Sequence, residues 1–331
     1  MGHASGYFYL KSKENNHRQF FRWRALLALT LAAPLGLHAQ APLLTGTVVE
    51  TGTGKPIPFA TIELLARHLG VQATETGTFI LNLPPSPNPT DSLRVASLGF
   101  TPRVLALPTT TPYRLELTAL AVPLTEVVVR PSTTKPMRLG PEEDGDRFGF
   151  GGGTILSAER SSGWQVARKF TDAPVGIILS VRFYLKPNPN CGKSSVKTPF
   201  RIRIYAADGP NGAPGTDLLT ASVLTAATKT GWHEVNLTTY QLLSQAGGFF
   251  VAMEWLYTTP EFGCDYTYHT PDKEKKTGHS YGQYLGGYLS FNQPTSWYLS
   301  AGYPWQPFRP ISHFADKGNQ SAAIQAIIQP N

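Results

Sequence analysis

The feature that most restricts how this chain can fold is how often it must turn. Between Leu44 and Arg130, breaks recur about every eight to twelve residues, the spacing of a β-sandwich or small barrel. Leu44-Thr-Gly-Thr-Val-Val49 reads as a first strand. It stops at Thr51-Gly-Thr-Gly-Lys-Pro56, where two glycines and a proline supply the dihedrals of a turn. Phe59 to Leu65 reads as a second strand, and Gly70 to Phe79 as two short ones hinged at Thr76-Gly77. Phe79, Leu81 and Leu83 alternate with Thr78, Ile80 and Asn82, and Tyr113, Leu115 and Leu117 alternate with Arg114, Glu116 and Thr118. A period of two sends one set to a core and the other towards solvent. No helical period of comparable length competes with it.

These residues resemble the carboxypeptidase-regulatory-like (transthyretin-like) domain of bacterial envelope proteins. The resemblance is carried by Gly46, Val48, Gly54-Lys-Pro-Ile-Pro-Phe-Ala-Thr-Ile62, Gly70, Gly77, Phe79, Leu93-Arg-Val-Ala-Ser-Leu-Gly-Phe100 and Leu124-Thr-Glu-Val-Val-Val129. Ala73-Thr74 stands where the family usually has Thr-Asp, which removes a side-chain acceptor from the turn at Gly77. Ala96 stands where the family tends to have Ser. The resemblance implies a seven-stranded sandwich without catalytic residues. It also implies an accessory role, often ahead of TonB-dependent outer-membrane receptors or beside secreted enzymes.

Residues 1–39 read as a signal peptide: Arg18, Arg22 and Arg24, then an apolar run from Ala25 to Gly36, then Leu37-His38-Ala39 before Gln40. The run is shorter than the roughly 20 residues a membrane span needs, so no transmembrane segment is expected after cleavage. Export to the periplasm, the outer membrane or the medium follows. The signal also changes the charge. Five of the 29 basic and one of the 22 acidic residues lie in it, which leaves the mature chain 24 against 21. Apart from Lys273, Lys275 and Lys276, the basic residues look scattered along the chain, and no nucleic-acid partner is expected.

The mature length suits two domains. Residues 40–130 form the first, and the polar, glycine-rich residues 131–153 read as a linker. Gly149 to Gly153 follows no strand and carries no phosphate-binding lysine, so a nucleotide loop is rejected. Residues 154–331 read as a second sandwich, jelly-roll-like in strand order and weakly similar to sugar-binding accessory modules. Its expected strands are Trp164–Phe170, Ile177–Leu185, Phe200–Ala206, Leu218–Leu224, Trp232–Leu237, Phe249–Leu256 and Ala322–Ile328. The whole chain is therefore expected to be all-β. Cys191 and Cys264, the only cysteines, are expected to form a disulfide in an exported protein.

No zinc-hydrolase motif is found. The chain has no His-x-x-Glu pair and no His-Glu-x-x-His, and His233-Glu234 lacks a second histidine. The polar cluster Asp265, His269, Asp272, Glu274 and His279 fits no metal template, and turn chemistry accounts for Asp208, Asn211 and Asp217 as well as calcium does. No catalytic residue, metal or cofactor is assigned.

The outstanding feature of the second domain is aromatic. Fourteen rings fall between Trp255 and Phe308, in a segment read as turn-rich. Trp297, Tyr298, Tyr303, Trp305, Tyr266 and Tyr268 are the candidate ligand-binding residues, either as exposed platforms for sugar faces or as filling for a second core. The reading is an exported, non-catalytic binding or scaffolding protein of the cell envelope, with a polysaccharide or an envelope protein as partner. Two rivals stay open: a secreted carbohydrate-active hydrolase whose carboxylate pair is assembled by the fold, and a structural subunit of an outer-membrane receptor complex.

Overall fold

The computed structural model describes residues 42–88, 90–120, 134–152, 162–257, 260–291, 295–308 and 318–331. The signal-peptide reading and the Leu124–Val129 part of the resemblance lie outside these residues. The fold is all-β. No helix among the described residues is long and apolar enough to cross a membrane.

Seven strands build the first sandwich: β1 (Leu43–Glu50), β2 (Thr61–Leu64), β3 (Leu69–Gln72), β4 (Thr78–Asn82), β5 (Ser92–Ala96), β6 (Arg103–Ala106) and β7 (Tyr113–Leu117). They form a three-stranded sheet, β4-β1-β7, and a four-stranded sheet, β3-β2-β5-β6. The strand alternation fixes which side chains meet between them. Val48, Phe79, Leu81 and Leu115 from one sheet pack on Ile62, Leu64, Leu93 and Val95 from the other. The turn at Gly77 closes without the missing aspartate, because the Thr74 hydroxyl accepts from the Thr78 amide at 3.2 Å. The second strand begins later than its composition indicates. Phe59 sits at φ 54°, in the left-handed region, so it belongs to the turn.

The second sandwich is larger. Its strands are β8 (Met137–Leu139), β9 (Phe148–Gly152), β10 (Gln165–Phe170), β11 (Gly176–Lys186), β12 (Phe200–Ala206), β13 (Val223–Thr225) and β14 (Gly231–Asn236). They continue as β15 (Phe249–Trp255), β16 (Gly263–His269), β17 (Lys275–Ser290), β18 (Ser296–Leu299), β19 (Gln306–Pro307), β20 (Asn319–Ala322) and β21 (Ile324–Pro330). A six-stranded sheet, β13-β12-β15-β10-β18-β19, faces an eight-stranded one built on β16-β17-β11-β21-β8, with β9, β14 and β20 as branches. Phe200, Ile202, Met253 and Trp255 from the first meet Phe183, Leu185, Leu285 and Ile324 from the second in one buried core.

Three segments depart from the sequence reading. The strand expected at Leu218–Leu224 is confined to Val223–Thr225. Much of the expected linker is strand: β8 pairs with β21, and β9 pairs with β17. The glycines there serve packing, since a Cβ on Gly149 or Gly151 would lie 2.5 or 2.2 Å from the Tyr284 ring. The aromatic segment read as turn-rich is mostly strand, because β16 and the 16-residue β17 form a long antiparallel hairpin from Gly263↔Tyr281 to His269↔Lys275.

Candidate functional site: a cleft between the two sandwiches

Period-two alternation gives the six-stranded sheet two unlike faces. On β12, Phe200, Ile202 and Ile204 enter the core, which turns Arg201, Arg203 and Tyr205 to the other face. On β15 the same rule presents Phe250, Ala252 and Glu254 there, and on β18 it presents Trp297. An outward face of this kind needs a cover, and the first sandwich covers one end of it.

The cover is polar. Glu254, 1% exposed, accepts from Gln72 Nε2 of β3 at 3.1 Å and from Arg201 Nη1 at 3.3 Å through Oε1, and from Arg203 Nη1 at 3.1 Å through Oε2. Arg201, 2% exposed, also donates to the Phe59 carbonyl at 3.3 Å, and its guanidinium lies 5.8 Å from the Phe59 ring centroid. The left-handed turn at Phe59 is therefore what aims a backbone acceptor at a buried cation. The Gln72 side-chain oxygen, Oε1, in turn accepts from the Tyr257 amide at 3.0 Å. Farther along, His68 stacks on Tyr303 with ring centroids 3.9 Å apart, and its Nδ1 lies 3.0 Å from the Gly302 carbonyl. Gly302 allows this approach, at φ 71° and with room for no Cβ, which would lie 2.9 Å from His68 Nδ1.

Beyond the covered end the face opens into a cleft of about 430 Å³, continuous through Arg94, Pro214, Leu299 and Trp305 with a groove of about 630 Å³. The first sandwich supplies Thr61, Glu63, Arg94 and the Ser97–Phe100 turn. Arg94 is tied to Glu63 at 2.9 Å and remains partly exposed. The second sandwich supplies a charged floor. Arg203 grips Asp217 with Nη2 at 2.8 and 2.9 Å and Nε at 3.2 Å, while its Nη1 holds Glu254. Burial alone would lower the Arg203 guanidinium, but Tyr205, Asp217 and Glu254 outweigh it and hold the group firmly charged. Burial lowers the Arg201 guanidinium, and its Nε has no acceptor among the described residues, so the floor retains a buried donor.

From that floor an aromatic wall rises. Tyr205 lies beneath the Arg203 guanidinium at 5.0 Å, donates to Gln165 Oε1 at 2.7 Å, and meets the Trp305 ring edge to face with centroids 5.6 Å apart. Trp297 meets Phe250 in the same way at 6.0 Å. Tyr303 closes the wall, 47% exposed beside Pro304.

Of the six aromatic candidates, Trp297, Tyr303 and Trp305 therefore share one groove, and the other three do not. Tyr298 follows Trp297 in a strand and faces the opposite way, onto Trp164 and Phe308, with its hydroxyl on Gln306 Oε1 at 2.8 Å. Tyr266 and Tyr268 pair with each other on β16, in the other sheet. Sequence reasoning missed Arg94, Arg203, Tyr205 and Glu254, and weighed Asp217 only for turn chemistry and calcium. Only the apolar-charged alternation of β12 hinted that its charges share a face. The expected disulfide is present, with the Cα atoms of Cys191 and Cys264 5.4 Å apart. Asp208 is turned to the Thr216 amide and hydroxyl and Asp217 to Arg203, so the two do not converge on one point. His279 and Asp265 pair across the exposed hairpin at 2.7 Å.

The sequence matches no protein-family model and no curated protein. Among solved structures it is similar to the cysteine protease and lectin-like domains of Cwp84, a surface-layer-associated protein of Clostridium difficile. That match has 16% identity, a TM-score of 0.32, and coverage of 52% of this chain and 33% of that one. It is also similar to the clostridial protease Cwp84 after propeptide cleavage, at 14% identity, a TM-score of 0.34, and coverage of 80% and 52%. The chain thus spans about a third and about a half of these two solved chains. At those scores neither likeness bears on what this chain does.

Proposed function

We propose that this chain is an exported, non-catalytic binding protein of the cell envelope that holds a polysaccharide in the cleft between its sandwiches. The first sandwich would be the regulatory-like module that its Gly54–Ile62 segment resembles, serving as one wall of the site. The observation that carries the reading is the composition of the cleft: Trp297, Tyr303 and Trp305 on one side, Arg94 and the Arg203–Asp217 pair on the other. Flat rings present apolar area to the C–H face of a sugar, and fixed ionic groups accept and donate to its hydroxyls. The disulfide supports export, since such bonds persist in oxidising compartments.

The hydrolase reading has one point in its favour, because Asp217 and Glu254 both line the cleft. Both, however, are bound by the same guanidinium. Burial leaves the Asp217 carboxyl above its usual range, although the bidentate Arg203 opposes the rise. A glycosidase needs one carboxyl free to give up a proton, so the arrangement favours binding. The test is a glycan array with the mature protein and its Trp297→Ala and Trp305→Ala variants. Saturable binding to a class of glycans, lost in both variants, supports the proposal. Binding that survives both substitutions, or product release from a bound glycan, overturns it.

A further inference from the structure

The fold gathers a group of cations that the sequence scatters. Lys186 ends β11, Lys193 and Lys197 begin and end a single 3-10 turn, and Lys229 lies in the turn before β14. All four line one pocket of about 700 Å³, on the opposite sheet from the aromatic cleft. Two carboxylates stand nearby, each hydrogen-bonded to a neutral donor. Asp146, the only acid in the lining, accepts from the Tyr184 hydroxyl at 3.1 Å, and Asp144 accepts from Trp232 Nε1 at 3.0 Å. Lys186 Nζ donates to the Asp146 backbone carbonyl at 2.8 Å. None of the four ammonium groups is in a salt bridge with a described residue. On a mature chain with an excess of only three positive charges, this is a marked local concentration.

The pocket is also held in shape. Asn188 is fully buried: its amide donates to Ser195 Oγ at 2.8 Å, its Nδ2 donates to Ser280 Oγ at 2.8 Å, and its carbonyl accepts from the Cys191 and Gly192 amides. The Cys191–Cys264 bond ties the same turn to β16. The loop that presents Lys193 and Lys197 is thus anchored on both sides before any ligand arrives, which limits the ordering cost of binding. Ser194, Thr228 and Thr230 add hydroxyls to the rim, and Leu185 and Val196 add an apolar floor.

We infer that this pocket binds a phosphate- or sulfate-class oxyanion, and its volume accommodates such a group esterified to a sugar. Lysine ammonium groups act there as point charges without fixed directional demands, which suits a tetrahedral oxyanion. The site is independent of the aromatic cleft.

The test is titration calorimetry of the mature protein with sodium pyrophosphate, glucose 6-phosphate and glucose, up to about 10 mM so that a weak millimolar site is covered. The comparison protein is the triple variant Lys193→Gln, Lys197→Gln, Lys229→Gln, whose melting temperature should match the parent because all three positions are exposed. The expected result is saturable binding of one or both phosphates, none of glucose, weakening at high salt, and a loss of at least about tenfold in the variant. That loss follows from removing unit charges a few ångströms from an anion. Binding of pyrophosphate alone identifies the free oxyanion as the ligand, and binding of glucose 6-phosphate identifies the sugar ester. No saturable binding of either, or equal binding by the variant, overturns the inference. Persistence of this binding in Trp305→Ala separates it from the glycan proposal.

Discussion

At the scale of single residues, Glu254 is the most open to test, though it is only 1% exposed to water. One carboxylate receives Gln72 from the first sandwich and Arg201 and Arg203 from the second. Glu254→Ala would leave two guanidinium groups beside a hole, and removing one partner of a buried pair costs about 3–5 kcal/mol. Urea denaturation should show a loss of that order, against a fraction of it for the exposed pair Arg114–Glu116. His233 gives a pH signature. Its Nε2 lies 2.7 Å from Thr225 Oγ1 with Phe200 at its edge, and burial lowers its imidazole below the ordinary value. The unfolded chain then binds the proton more readily, so stability is full above about pH 6.5 and falls as the pH drops below it. Parallel urea titrations on either side of that pH should show the fall, and His233→Gln should flatten it. Neither residue advertises its role in the sequence: Glu254 sits in an apolar run that reads as a central strand, and His233-Glu234 reads only as an incomplete metal motif.

At the scale of elements, the clean alternations were readable. Phe200-Arg-Ile-Arg-Ile-Tyr205 and Tyr113 to Leu117 form the strands their patterns indicate, because one buried face selects one register. The long hairpin β16–β17 was not readable. Its strand carries Gly278, Gly282, Gly286 and Gly287, which look like turn residues but make room for neighbours: a Cβ on Gly287 would lie 2.4 Å from the Phe148 ring, and one on Gly278 2.7 Å from Tyr266. The glycines at 149 and 151 misled for the same reason, since close packing of Tyr284 uses the residue types that a linker also uses. The disulfide, in contrast, was legible from two cysteines behind a segment that reads as an export signal. It closes a loop with a sequence separation of 73 and should contribute roughly 4 kcal/mol on the chain-entropy account. The double variant Cys191→Ala, Cys264→Ala should lose about that much in chemical denaturation, and a change below about 1 kcal/mol would place the constraint elsewhere, in the Asn188 contacts.

At the scale of the whole molecule, the cleft exists because the outward face of one sheet is only partly covered. Its parts lie far apart in the chain: Arg94 on β5, Arg203 on β12, Glu254 on β15 and Trp305 ahead of β19. The aromatic enrichment signalled that something was there. It could not separate Trp297 from Tyr298, since neighbouring strand residues face opposite ways and which face is open depends on the other sandwich. The proposed ligand site is one that both sandwiches share. Calorimetric titration with the best array glycan tests it directly, comparing the parent with Arg94→Ala from the first sandwich, Trp305→Ala from the second, and Tyr268→Ala on the remote hairpin. Arg94→Ala and Trp305→Ala should each weaken binding by about tenfold or more, the cost of losing one well-placed contact, while Tyr268→Ala should leave it unchanged. Full affinity in Arg94→Ala and Trp305→Ala, with loss in Tyr268→Ala, would contradict it and move the site to the hairpin.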